Sequence, residues 1–145
     1  MNTGYEYLSE VAIADVALRA WGETAGELFA AAARAVLEVM VSPLATVRLR
    51  EERRLELAAA SVELLLLDFL QEILYHKDAE RLFLLPVGIE VAVSAAGARL
   101  HGVLAGEGID PERHDLGVDV KAVTMHRFSV RQEEGRWIAE VVLDV

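Results

Sequence analysis

From Val62 to Leu74 the chain sets Val62, Leu64, Leu65, Leu66, Phe69, Leu70, Ile73 and Leu74 along a helical run that is apolar over a wide arc. A helix with a single apolar stripe needs one partner layer, and an arc this wide predicts burial on more than one side. Ser61 is placed to cap its first turn. What encloses this helix therefore decides the fold class.

A second helical signal precedes it. Thr24 and Glu27 form a capping-box pair, followed by Leu28, Phe29, Ala32, Val36, Val39 and Met40 at three- and four-residue steps. Ser42-Pro43 ends that run, because proline cannot continue a helix. The rest of the chain reads as strand. Tyr5-Leu8 is short, and Asp15-Trp21 alternates, with Val16, Leu18 and Ala20 on one face. Thr46-Arg50 and Arg54-Leu57 alternate as a strand with one wet face. Leu82-Leu85 and Val87-Val93 read as strand, broken or bulged at Pro86 and Gly88. Ala95-Ala96-Gly97 signals a hairpin whose return is Ala98-Gly106, and Glu107-Gly117 reads as a polar loop. Asp119-Thr124, Arg127-Arg131 and Arg136-Asp144 then predict three closing strands, the last two joined at Glu133-Glu134-Gly135. Helices and strands that do not strictly alternate imply an α+β fold, a mainly antiparallel sheet with two helices packed against it.

A chain of 145 residues is expected to form a single domain over 1–145 with a real core. Hydrophobic residues make up 54% of it and charged residues 26%, which excludes general disorder. No apolar stretch approaches the roughly 18 residues of a membrane span. No signal peptide is visible at Met1-Glu6, so the expected location is cytoplasmic. The net charge of −10 argues against direct binding of nucleic acid. With no cysteine there are no disulfides, thiolate metal sites or cysteine nucleophile. There is no glycine-rich phosphate loop, no Gly-x-Ser-x-Gly elbow and no His-Glu-x-x-His motif, so an enzymatic reading has little to rest on.

The residues that carry chemistry are acids and one lysine. The chain closes on Val142-Leu143-Asp144-Val145, an acid at a strand end beside the terminal carboxylate. Like charges that close are costly unless a positive group or solvent intervenes. Glu6, Asp15 and Asp144 lie in or beside strands and suit a hard, oxygen-ligated cation; spacing alone favours ordinary strand-end acids. Lys121 is flanked by Val120, Ala122 and Val123, and in a strand it would share a face with Asp119 and Val123. It can neutralise Asp144, contact a phosphate or meet a partner's acid, or form only a weak cross-strand pair. Asp68, Glu72 and His76 recur at four-residue steps on the second helix; mixed ligands of this kind can hold a metal, but a wet helix stripe is the favoured reading. His101, His114 and His126 are scattered, with His114 expected to be solvated in its loop.

Taken in order, several of these segments resemble the archease family. The matching pieces are Tyr5-Glu6-Tyr7-Leu8, Ala14-Asp15-Val16-Ala17-Leu18-Arg19-Ala20-Trp21-Gly22, the helix from Glu27 to Met40, and Leu64 to Tyr75. Asp110-Pro111-Glu112-Arg113-His114, Asp119-Val120-Lys121-Ala122-Val123-Thr124 and the closing Leu143-Asp144-Val145 complete it. The resemblance implies a non-enzymatic accessory protein that promotes guanylylation and repeated turnover of the GTP-dependent tRNA-splicing RNA ligase. It also implies a divalent-metal site, with calcium the expected ion and magnesium or manganese the alternatives. The family's aspartates fall on Asp15 and Asp144, its functional lysine falls on Lys121, and Val145 can add a carboxylate or carbonyl oxygen.

One segment departs from the family pattern. Archeases usually carry His-Thr-Ala-Asp where this chain has Ala12-Ile13-Ala14-Asp15, with Glu10 nearby as a substitute polar group. That departure keeps open a second reading, a metal-independent binding module or chaperone-like adaptor.

Overall fold

The computed structural model describes residues 2–8 and 15–145. Its elements run β1 (Gly4–Leu8), β2 (Asp15–Gly22), α1 (Ala25–Met40), a 3-10 turn (Leu44–Thr46), β3 (Glu51–Ala59), α2 (Val62–Glu80), β4 (Leu82–Ser94), β5 (Gly97–Gly108), β6 (Ala122–Glu133) and β7 (Arg136–Asp144). The strands form two sheets, ordered β1-β2-β7-β6 and β3-β5-β4, and every pairing in them is antiparallel. With two helices packed on the sheets, this is the expected α+β class.

Both helices start where local chemistry dictates. Thr24 is extended and its side chain accepts the Glu27 N–H at 3.1 Å. The Glu27 carboxylate accepts the N–H of Glu23, one residue before the cap, at 2.8 Å. Ser61 Oγ accepts the Leu64 N–H at 3.2 Å. α2 ends on Arg81 in the left-handed region, at φ 55° and ψ 44°.

The α2 burial pattern corrects the expected wide arc. Leu65, Leu66, Phe69, Leu70, Ile73, Leu74 and Lys77 are buried, at steps that trace one face, while Leu64 is 42% exposed. The helix has one inward side, not two. It meets α1 where Phe29 and Phe69 stack with centroids 5.8 Å apart. α1 packs on β1, β2, β4 and β7, and α2 on β3, β4, β5 and β6, so residues of both helices and both sheets share one hydrophobic cluster. No helix among the described residues is long and apolar enough to cross a membrane.

Two strand expectations are also revised. The Thr46-Arg50 stretch alternates in sequence, but β3 begins only at Glu51. The Arg48 N–H is instead taken by the carboxylate of Glu107 at 2.8 Å, so a side chain replaces the ladder there. The stretches 119–124 and 127–131 are not two strands. β6 is one strand from Ala122 whose register slips between Thr124 and Ser129, with Arg127 at φ 56° absorbing the bulge. Asp119 and Lys121 precede it and so do not share a strand face with Val123. The bulge at Pro86/Gly88 and the β4–β5 turn at Ala95-Ala96 lie where the sequence puts them. So does the β6–β7 turn, where Glu134 and Gly135 both have positive φ, as a tight hairpin requires.

Candidate functional site

β2 and β7 are the two central strands of the four-stranded sheet, and their register sets the site. Asp15 pairs with Asp144, Arg19 with Glu140, and Ala20 with Ala139. Directly opposed residues of antiparallel strands point to the same side, with Cβ atoms about 4.5–5.5 Å apart. Leu18, Ala20, Val141 and Leu143 alternate with Asp15, Arg19, Glu140 and Asp144 and are fully buried against α1. Asp15 and Asp144 therefore share the other face, at the end of the sheet where β7 finishes.

Lys121 reaches the same corner from a third part of the chain. Its backbone N–H donates to the Asp144 carbonyl at 2.8 Å, and the next residue, Ala122, is the register partner of Asp144 on β6. Its side chain is exposed and, among the described residues, forms no ion pair. Val145 follows with its side chain half-buried against the core, on the side opposite the Asp144 carboxylate.

The segment that delivers Lys121 is fixed along its length. Val41 bridges Leu116, and the Gly117 and Val118 N–H groups donate to Met40 and Val39 carbonyls at 2.8 and 3.0 Å. Only glycine fits at 117, because a Cβ there would lie 2.4 Å from the Val39 oxygen. Farther back, Glu107 and His114 form a buried knot. His114 Nε2 lies 2.9 Å from Glu107 Oε2, and His114 Nδ1 accepts the Asp110 N–H at 2.9 Å. That acceptor role puts the ring proton on Nε2, so His114 donates to Glu107. Arg113 pairs with the same carboxylate. Burial alone would raise the Glu107 pKa, but the bonds from Arg113, the Arg48 N–H and His114 outweigh it and hold the carboxyl at about 2. His114 is thus buried, not solvated as its polar loop suggested, and Glu107 is the buried end of β5 rather than part of a loop.

Other sequence candidates lie elsewhere. Glu6 is the register partner of Arg19 and pairs with it at 3.3 Å, four residues along β2 from Asp15 and so roughly 13 Å away. Asp119 is bound by Lys77, not Lys121. On α2, His76 Nδ1 meets Glu80 at 2.8 Å. His101 meets Glu90 on the exposed face of the other sheet. Ala12, Ile13 and Glu10 lie outside the described residues. Lys77 had no motif to announce it: a lysine at a core position of a helix is its only sequence signal.

This architecture is that of a known family. A family model described as the Archease protein family (MTH1598/TM1083) matches residues 5–145. The chain belongs to the archease family. Protein archease of Methanopyrus kandleri is 34% identical over 132 residues, covering 91% of this chain and 94% of that one. Protein archease of Methanothermobacter thermautotrophicus is 34% identical over 142 residues, covering 98% and 99%. The solution structure of Methanobacterium thermoautotrophicum protein 1598 superposes with a TM-score of 0.83 at 34% identity, over 98% of this chain and 99% of that one. A Thermotoga maritima structure described as an archease, possible chaperone, shares the fold at a TM-score of 0.62 and 17% identity, over 97% and 99%.

As chemistry, two carboxylates on facing strand positions with a main-chain oxygen at Val145 match the donors a hard cation takes. Among the described residues no third histidine or acid side chain joins them. Water or a partner would have to complete the shell of about six to eight oxygens that calcium takes.

Proposed function

We propose that the protein is a non-enzymatic accessory factor that promotes guanylylation and multiple turnover of a GTP-dependent tRNA-splicing RNA ligase. The observation that carries the reading is the convergence at one sheet corner of Asp15, Asp144 and Lys121, residues from three distant parts of a family member's chain. Asp15, Asp144 and the Val145 main-chain oxygen would hold a divalent cation, with calcium first and magnesium or manganese as alternatives. When bound, that ion supplies positive charge at the end of the β2–β7 ladder. Asp15 and Asp144 confine it by facing each other across the ladder, where two bare carboxylates would otherwise repel. Lys121, with its main chain tied to Asp144, presents a mobile ammonium to a phosphate or to an acid of the ligase. Phosphoryl-type transfer depends on positioned charge, and a protein that favours one ligase conformation can speed it without contributing a reacting group.

The test is guanylylation of the cognate ligase with wild type, Asp144→Ala and Lys121→Ala. Both variants are expected to lose stimulation, and equal stimulation by all three would remove these residues from the mechanism. A second reading, a metal-independent adaptor, draws on Ala12-Ile13 in place of the family's histidine and threonine, and on the description of the Thermotoga relative as a possible chaperone. Titration calorimetry with Ca²⁺, Mg²⁺ and Mn²⁺ separates the two: a folded protein that gives no heat with any of them is an adaptor.

A further inference from the structure

Lys77 carries a charge where the fold has little room for one. It sits in the last turn of α2, only 5% exposed, beside the buried Leu74. Its ammonium meets Asp78 Oδ1 at 2.6 Å, Asp119 Oδ1 at 2.7 Å and the Val120 carbonyl at 2.8 Å. An ammonium has three N–H donors, and all are used. A methionine or leucine would fill the position without desolvating a charge, and burying an ion pair in place of apolar contact seldom adds stability. The two carboxylates are themselves largely exposed, at 60% and 67%, so neither needs Lys77 for its own satisfaction.

What Lys77 does fix is a stretch of main chain. Residues 116–118 are tied to the end of α1, and Lys121 is tied to Asp144. Between those anchors, Asp119 and the Val120 carbonyl are held by Lys77 alone among the described side chains. We infer that Lys77 is the positioning residue for Lys121: it clamps Asp119 and Val120 so that the next N–H meets the Asp144 carbonyl and the Lys121 main chain is anchored at the end of β7. This rests on the accessory-factor reading for its functional consequence, but not for its structural one.

The experiment compares wild type with Lys77→Met, which keeps length and burial and removes the charge. Hydrogen exchange at the Lys121 amide is expected to speed up at least about tenfold, the scale of losing a charge-assisted hydrogen bond. Amides in the β2–β7 ladder and calcium affinity should stay as in wild type. Ligase stimulation should fall to the level of Lys121→Ala, and the double variant should fall no further, an outcome that a general loss of stability would not give. Unchanged exchange at Lys121 in folded Lys77→Met overturns the inference, as does full stimulation by that variant. If wild type stimulates no ligase, the accessory reading fails by itself, and the exchange result still decides the clamp. Should Lys77→Met not fold, Asp119→Ala, at an exposed position, answers the same question through the same amide: faster exchange supports the clamp and unchanged exchange overturns it.

Discussion

Glu107 on β5 accepts the Nε2 proton of His114 at 2.9 Å, with both side chains sealed from solvent. The bond closes the loop after β5 onto the strand it left, and the Arg48 N–H and Arg113 converge on the same carboxylate. Removing the acceptor strands three donors. Glu107→Ala is expected to cost about 3–5 kcal/mol, as breaking a buried charged network does. Glu107→Gln, which keeps one acceptor oxygen, should cost less, about 1–3 kcal/mol. Urea denaturation at pH 7 measures both.

The same carboxyl predicts acid sensitivity of known sign. Its pKa is held at about 2 in the fold against 4.5 as the ordinary value. Below 4.5 the unfolded chain takes up a proton that the folded chain refuses, so stability present above that pH falls progressively toward pH 2. Denaturation midpoints across pH 5 to 2.5 should decline, and Glu107→Gln should flatten the part of the decline that this group causes. An equally steep decline in the variant would assign acid lability to other carboxylates.

Across the β2–β7 ladder, Asp15 faces Asp144. Like charges directly opposed destabilise a sheet by a few tenths to about 1 kcal/mol. Asp144→Asn is therefore expected to raise the melting temperature slightly in chelator. With calcium the order should invert, since a ligand at 100 times its Kd adds about 2.7 kcal/mol to the wild type and little to the variant. Thermal melts of both proteins with and without calcium check the crossing, and parallel behaviour would detach these aspartates from any cation.

Arg81 ends α2 at φ 55°, a conformation that costs a residue with a Cβ about 1–2 kcal/mol. Its side chain is exposed and its carbonyl, which takes the Ile109 N–H at 2.9 Å, would survive substitution. Arg81→Gly should stabilise the protein by up to about 1 kcal/mol, the gain reduced by glycine's greater freedom when unfolded. Differential scanning calorimetry would read it as a rise in melting temperature.

What could be read from the sequence is what local physics decides. Thr24 and Ser61 announce their helices because a cap acts within one turn. The hairpins at Ala95-Ala96 and Glu134-Gly135 are visible because turns restrict residue type. The failures share a different cause. Met125-His126 looks like a break between strands, but a bulge carries the chain through it. Thr46-Arg50 alternates like a strand, yet its partner at Arg48 is a side chain. His114 reads as solvated and Glu107 as the start of a polar loop because nothing in that stretch reveals that each is the other's buried partner. The opposition of Asp15 and Asp144 is of this second kind: it follows from the β2–β7 register, which no local spacing encodes; strand position marked both as candidates alongside Glu6, and the family resemblance narrowed the set to these two.

Gly117 offers a separate handle on the lysine arm. The Val39 carbonyl that a Cβ at 117 would approach to 2.4 Å also accepts the Val118 N–H at 3.0 Å. That acceptor is main chain at the end of α1, so it cannot swing aside as a flexible side chain would. In Gly117→Ala the segment must lift off α1, weakening the Val41–Leu116 bridge and the bonds beside it, with an expected loss of about 1–3 kcal/mol. The Asp15/Asp144 pair belongs to a different ladder and should keep its cation affinity. The variant should therefore bind calcium like wild type while stimulating the ligase less, because Lys121 is no longer delivered to the corner. Calorimetric titration and the guanylylation assay on one preparation give both numbers, and equal losses in the two would show that the arm and the aspartates are not separable.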